Sequence, residues 1–180
     1  MSTATEIMLV LKSADDIFLK NTGLLNGNRF LNDTTEEFII EAAARIPRRL
    51  PIDITVHIPS SEIKRADDIS SAIHKHFAYC RKKSQTKIKA TLHAGRRTLL
   101  IGFLFLIIIY SLAHLLRFYF STEGFFGTIW ESLTILAWVA LWRPAELLLY
   151  EWYPYVKEAN LYKRLELSHS LSVISYEREG

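Results

Sequence analysis

The chain has 180 residues, 49% of them hydrophobic and 23% charged, with 22 basic against 19 acidic side chains. That suits one small domain, or a domain plus membrane segments. Five prolines and seven glycines beside 10 Phe, 8 Tyr and 4 Trp exclude a disordered or collagen-like chain over most of the length, and one cysteine excludes an internal disulfide scaffold.

Residues 1–16 show no basic start followed by an apolar run and a small-residue cleavage site, so no secretory signal is expected and the first residues belong to the mature fold. From Glu6 to Lys12, Ile7, Leu9 and Leu11 alternate with Met8 and Val10, which predicts a strand that is apolar on both faces. Ser13, Asp15 and Asp16 suit a turn, because their side chains bond nearby backbone N–H groups, and residues 17–20 then supply a short extra strand. The Asn- and Gly-rich residues 21–33 form a loop. Thr34 and Glu37 have capping-box spacing, predicting a helix over residues 35–46 that exits between Pro47 and Pro51.

Ile52, Ile54, Val56 and Ile58 alternate with polar neighbours in a half-buried strand that Pro59 ends. A long helix then starts near Ser61 or Asp67, with Ile69, Ile73, Phe77 and Cys80 on one face, and continues through a basic stretch. Strand, helix, strand, helix implies a parallel pair with a right-handed crossover, but two strands leave both edges open. The tail is the second source of a strand: Leu171, Val173 and Ser175 alternate with Ser172, Ile174 and Tyr176, so residues 170–176 should join the sheet, in their own chain or a neighbour's.

Residues 98–116 contain no Asp, Glu, Lys or Arg. As a helix they extend about 28 Å, close to the thickness of a bilayer core. A short loop at 121–124 leads to a second apolar stretch, residues 125–150, interrupted by Glu131 and by Arg143, Pro144 and Glu146. Lys and Arg stay on the cytoplasmic side. Lys75, Arg81, Lys82, Lys83, Lys87, Lys89, Arg96 and Arg97 precede the first span with no acidic residue among them, and Lys157, Lys163 and Arg164 follow the second, whereas the connecting loop carries only Glu123. Both termini are therefore expected in the cytoplasm. Phe118, Tyr119, Phe120, Phe125, Phe126 and Trp130 would mark the outer interface, and Trp142, Tyr150, Trp152, Tyr153 and Tyr155 the inner one. The expected fold is an α/β cytoplasmic domain, residues 1–97, with a basic stalk helix; a two-helix transmembrane hairpin, 98–155; and a cytoplasmic tail, 156–180.

No phosphate loop, H-E-x-x-H, G-x-S-x-G or paired-cysteine motif occurs, so neither an enzyme nor a cofactor is expected. His76 and Cys80 are four apart on one helical face, but two ligands are too few for a metal, and Cys80 extends the apolar stripe; a core role is expected and no metal site. The basic stretch has a topological explanation, holding the helix inside beside anionic headgroups. Its functional reading is that several such helices in an oligomer line a vestibule, where Lys82, Lys83, Lys87, Lys89, Arg96 and Arg97 attract a nucleotide or short nucleic acid.

Ionisable residues inside a membrane usually face a partner or a water-filled path. With the turn between Thr122 and Glu123, His114 lies opposite Glu131, and Arg117 is within one turn of His114. A structural pairing explains this cluster, and so does a pore-lining ring. Arg143 and Glu146 are three apart on one face, while Pro144 removes the bond to the Ala140 carbonyl, so a kink is expected there. It is either a local ion pair at the lipid boundary or a hinge at the inner mouth of a pore.

The string Trp142, Arg143, Pro144, Ala145, Glu146, Leu147, Leu148, Leu149, Tyr150, Glu151, Trp152, Tyr153, Pro154, followed by Leu161, Tyr162, Lys163, Arg164, Leu165, resembles a family of small bacterial membrane proteins of unknown function. So does the amphipathic region around residues 72–79. A looser similarity, in size, layout and basic stalk, is to membrane effectors of bacterial antiviral systems of the Hailong type. That resemblance implies a cytoplasmic domain that binds a nucleotide-derived signal and a membrane part that conducts ions. The resulting expectation is a homo-oligomeric inner-membrane channel of three or more chains, gated through its cytoplasmic domain by an anionic ligand. The competing expectation is a non-conducting membrane anchor that docks a cytoplasmic protein.

Overall fold

The computed structural model describes residues 6–18, 30–119, 124–168 and 170–176. Strand β1 is Glu6–Val10, with Ile7 and Leu9 buried but Met8 and Val10 54% and 67% exposed. The expectation of two apolar buried faces is corrected: β1 is an edge strand of a sheet whose helices cover one face. The turn that follows is a 3₁₀ helix, Ala14–Ile17. Ser13 Oγ accepts from the Asp15 N–H and the Asp16 carboxylate accepts from the Ser13 N–H, a reciprocal cap that removes Ile17 from any strand. Phe18 makes a single antiparallel bridge to Leu31. The extra strand over 17–20 is therefore absent at Ile17 and reduced to that bridge at Phe18; residues 19–20 and the predicted loop at 21–29 lie outside the described residues.

Helix α1, Asp33–Arg45, begins two residues before the predicted start. Asn32 caps it, its Oδ1 accepting from the Thr35 N–H at 2.7 Å, in place of the predicted Thr34 and Glu37 pair. The physical reason is that the short Asn side chain already satisfies the first-turn N–H. Strand β2, Asp53–Pro59, pairs in parallel with β1, setting Ile7 beside Ile54 and Leu9 beside Val56. Strand β3, Ser170–Tyr176, pairs in parallel with β2 on its other side, within the same chain. The sheet order is β1-β2-β3. Thr55 ties all three strands together: its Oγ1 donates to Glu6 Oε1 at 2.6 Å and lies 3.2 Å from Ser172 Oγ.

Everything apolar enough for a membrane is inserted between β2 and β3. A 3₁₀ turn, Ser60–Arg65, leads into α2, Ala66–Tyr119, a 54-residue helix. Helix α3 is Phe125–Glu146; a π turn, Leu147–Glu151, and helix α4, Tyr153–Glu166, follow. The chain divides into two compact units, Met1–Ser84 with Lys157–Gly180, and Gln85–Val156.

In the first unit one face of the sheet packs on α1, the start of α2 and the end of α4. Ile54, Val56, Ile58, Ile39, Ile69, Ile73, Phe77 and Leu165 are all fully buried there. Arg164 closes the exit of α1 by donating to the carbonyls of Ile46, Pro47 and Leu50, and Arg81 of α2 pairs with Glu166 of α4 at 2.6 Å.

Two helical stretches, Ser60–Leu115 and Gly127–Glu166, are long and apolar enough to cross a membrane, and only 11% of the most apolar part of each is buried. The core helix of a water-soluble protein would be mostly covered. Small residues sit where α2 meets α3 and the π turn: an added Cβ at Gly102 would lie 3.2 Å from Leu141 Cδ2 of α3, and one at Gly95 would lie 2.8 Å from Leu148 Cδ2 of the π turn. Ala113 and Ala137 are each 2% exposed. Close approach through small side chains is how apolar helices associate where water supplies no driving force.

Candidate functional site

All six predicted ligand-binding cations are exposed on α2, but they fall in different units: Lys82 and Lys83 in the first, Lys87, Lys89, Arg96 and Arg97 in the second. Lys87 Nζ stands 5.3 Å from the centroid of the Tyr155 ring, an attraction between ammonium and π face. Arg81, in the same basic stretch, is committed to Glu166. A basic cavity that spacing did not suggest lies in the first unit. Arg48, Lys157, Lys163 and Arg164 line about 680 Å³ between the exit of α1 and α4, together with Glu158 and apolar Ile46. Only the folding of α4 against the end of α1 creates it.

Among the polar residues of the apolar helices, Arg143 pairs with Glu146 at 3.0 Å, as its spacing predicts, and also with Glu151. The second partner, eight residues on, is reached because the π turn intervenes. Pro144 is fully buried at the base of that turn and Trp142 is 75% exposed. Pro144 lies inside α3, and the π turn begins three residues after it at Leu147, whose N–H is shared between the carbonyls of Arg143 and Pro144. His114 and Glu131 are both exposed, and neither makes a hydrogen bond or ion pair with another described residue. Gly102 and Ala113, with Leu141 and Ala137, occupy the covered sides of the helices, which leaves His114 and Glu131 on uncovered sides. The side chain of Arg117, and the predicted loop at 121–123, lie outside the described residues.

A third cluster joins residues from two elements of the first unit. His76 Nε2 donates to Glu36 Oε2 at 3.1 Å, the ring's Nδ1 accepts from the Leu31 N–H at 3.4 Å, and Cys80 Sγ lies 3.5 Å from Nε2 and 3.8 Å from Glu36 Oε1. His76 and Cys80 are buried, Glu36 half-buried. Burial lowers the His76 pKa against the opposing pull of Glu36, and burial, then the Glu36 charge, pushes the Cys80 thiol up to about 12. Tyr162, whose ring stacks on Phe77 at 6.2 Å, is likewise pushed up to about 12 by burial and then by Cys80 and Glu36. Glu36 went unmarked in the sequence because it lies 40 positions from His76; only the crossing of α1 and α2 brings the two together.

Comparison with family models, with characterised proteins and with solved structures finds no match. The chemistry of the chain itself carries the functional reading.

Proposed function

We propose that this chain is a bacterial inner-membrane protein whose helices α2 and α3 cross the bilayer as a hairpin with both termini in the cytoplasm, and that three or more copies assemble into a channel. The observation that carries the reading is the placement of His114 and Glu131, ionisable and exposed, on two helices whose most apolar stretches are only 11% buried. An ionisable side chain facing hydrocarbon is costly, and contact with a neighbouring chain or a water-filled path relieves that cost. Two helices enclose no pore, so conduction requires a closed ring of identical chains. The exposed cations Lys82, Lys83, Lys87, Lys89, Arg96 and Arg97 support binding of an anionic nucleotide or short nucleic acid, whose contacts favour one arrangement of helices over another.

Purified protein in detergent is expected to have the mass of three or more chains, and in liposomes to conduct ions with a conductance altered by Glu131→Gln. A monomer or dimer without flux would overturn the channel and leave the reading of a non-conducting membrane anchor.

A further inference from the structure

We propose that Glu36, His76 and Cys80 form a site for a divalent transition metal of the zinc class, held by a carboxylate oxygen, the imidazole Nε2 and the thiolate sulfur, with the fourth position open to water. This goes beyond the channel reading and does not depend on it. The sequence shows two ligands at a four-residue spacing, too few for a site; the fold supplies the third from α1.

The distances fit the ion. Tetrahedral angles and zinc–ligand bonds of about 2.0–2.3 Å place a nitrogen and an oxygen ligand roughly 3.3 Å apart, and a sulfur roughly 3.5 Å from either. Here Nε2 lies 3.1 Å from Oε2 and 3.5 Å from Sγ, while the carboxylate's other oxygen, Oε1, lies 3.8 Å from Sγ. All three donor atoms lie within 4.8 Å of one another before any ion enters. A nitrogen, a sulfur and an oxygen ligand together suit zinc and cobalt better than magnesium or calcium, which take oxygen alone.

The protons also balance. Coordination needs a thiolate and a neutral ring with a free Nε2 lone pair, so the thiol proton leaves to solvent and the ring proton moves from Nε2 to Nδ1. The protonated Nδ1 then faces the Leu31 N–H, and that hydrogen bond, long at 3.4 Å, is the contact given up. In exchange the ion would tie α1 to α2 within the first unit.

The test uses the full chain, purified in detergent without a histidine tag and titrated with Co²⁺. Because the chain has one cysteine, thiolate-to-cobalt charge-transfer absorption reports on Cys80 alone. The band should saturate at one ion per chain, disappear in Cys80→Ser and on displacement by Zn²⁺ lose its colour. In His76→Ala and Glu36→Gln, affinity should fall by at least about tenfold, the range seen when supporting groups around a metal are lost. Should a variant fail to fold, the unaltered chain supplies a second readout: Zn²⁺ should slow alkylation of Cys80, and a chelator should restore the rate. Absence of the band, a band kept at full affinity in both His76→Ala and Glu36→Gln, or alkylation indifferent to Zn²⁺ would overturn the site.

Discussion

Phe77 sits where the first unit's sheet, α2 and α4 converge: it is fully buried, stacked on Tyr162 and edge-on to His76 at 5.3 Å. Its removal leaves a void that rigid neighbours on three elements cannot fill, so Phe77→Ala should lower unfolding free energy by about 3–5 kcal/mol, read by denaturant titration of the purified chain. Two positions away Tyr79 is 53% exposed, and Tyr79→Ala should cost much less. The stripe of Ile69, Ile73, Phe77 and Cys80 was readable from its helical period, and all four are buried. The neighbours of Cys80 were not readable, because periodicity within one helix says nothing about which carboxylate another helix brings to it. The cap of α1 shows a similar limit: Thr34 and Glu37 have the favoured spacing, yet Asn32 takes the role with its own side chain.

Between elements, the helices of the second unit meet through glycine. At Gly95 an added methyl would lie 2.8 and 3.0 Å from Leu148 and 3.3 Å from Leu147 Cβ, which the π turn fixes; at Gly102 the nearest atom is the mobile tip of Leu141 at 3.2 Å. Gly95→Ala should therefore destabilise by about 1–3 kcal/mol and Gly102→Ala by less, measured as thermal unfolding in detergent. In the first unit, β3 covers an edge of β2 whose Ile54, Val56 and Ile58 are fully buried. Truncation after Ser168 should expose that edge and lead to aggregation, followed by size-exclusion chromatography.

The tail strand was legible because its residues alternate and the two strands before it left a sheet with open edges. The short strand expected from residue 17 fails at Ile17, because the Ser13 and Asp16 cap wins locally. Helix α4 also escaped notice, its residues being divided between the end of the hairpin and the tail; Pro154 occupies its first turn, where the missing N–H costs nothing. Arg164 and Glu166 then gain partners available only in the fold.

For the whole molecule, the order of elements matters more than any one contact. A three-stranded parallel sheet is completed only after the chain has passed through α2, α3 and α4, so the residues before β2 and those of β3 must end on the same side of any membrane the apolar helices cross. This constraint, that both ends share one side, is independent of the charge count. On the proposed channel reading, contact between copies covers the polar groups left exposed on the apolar helices.

The most direct test of the membrane hairpin is labelling with an impermeant maleimide in intact cells, on a Cys80→Ser background. Glu123→Cys should react from outside, while Lys157→Cys should react only after the membrane is opened. Reaction of Lys157→Cys in sealed cells, or protection of Glu123→Cys until lysis, would contradict it.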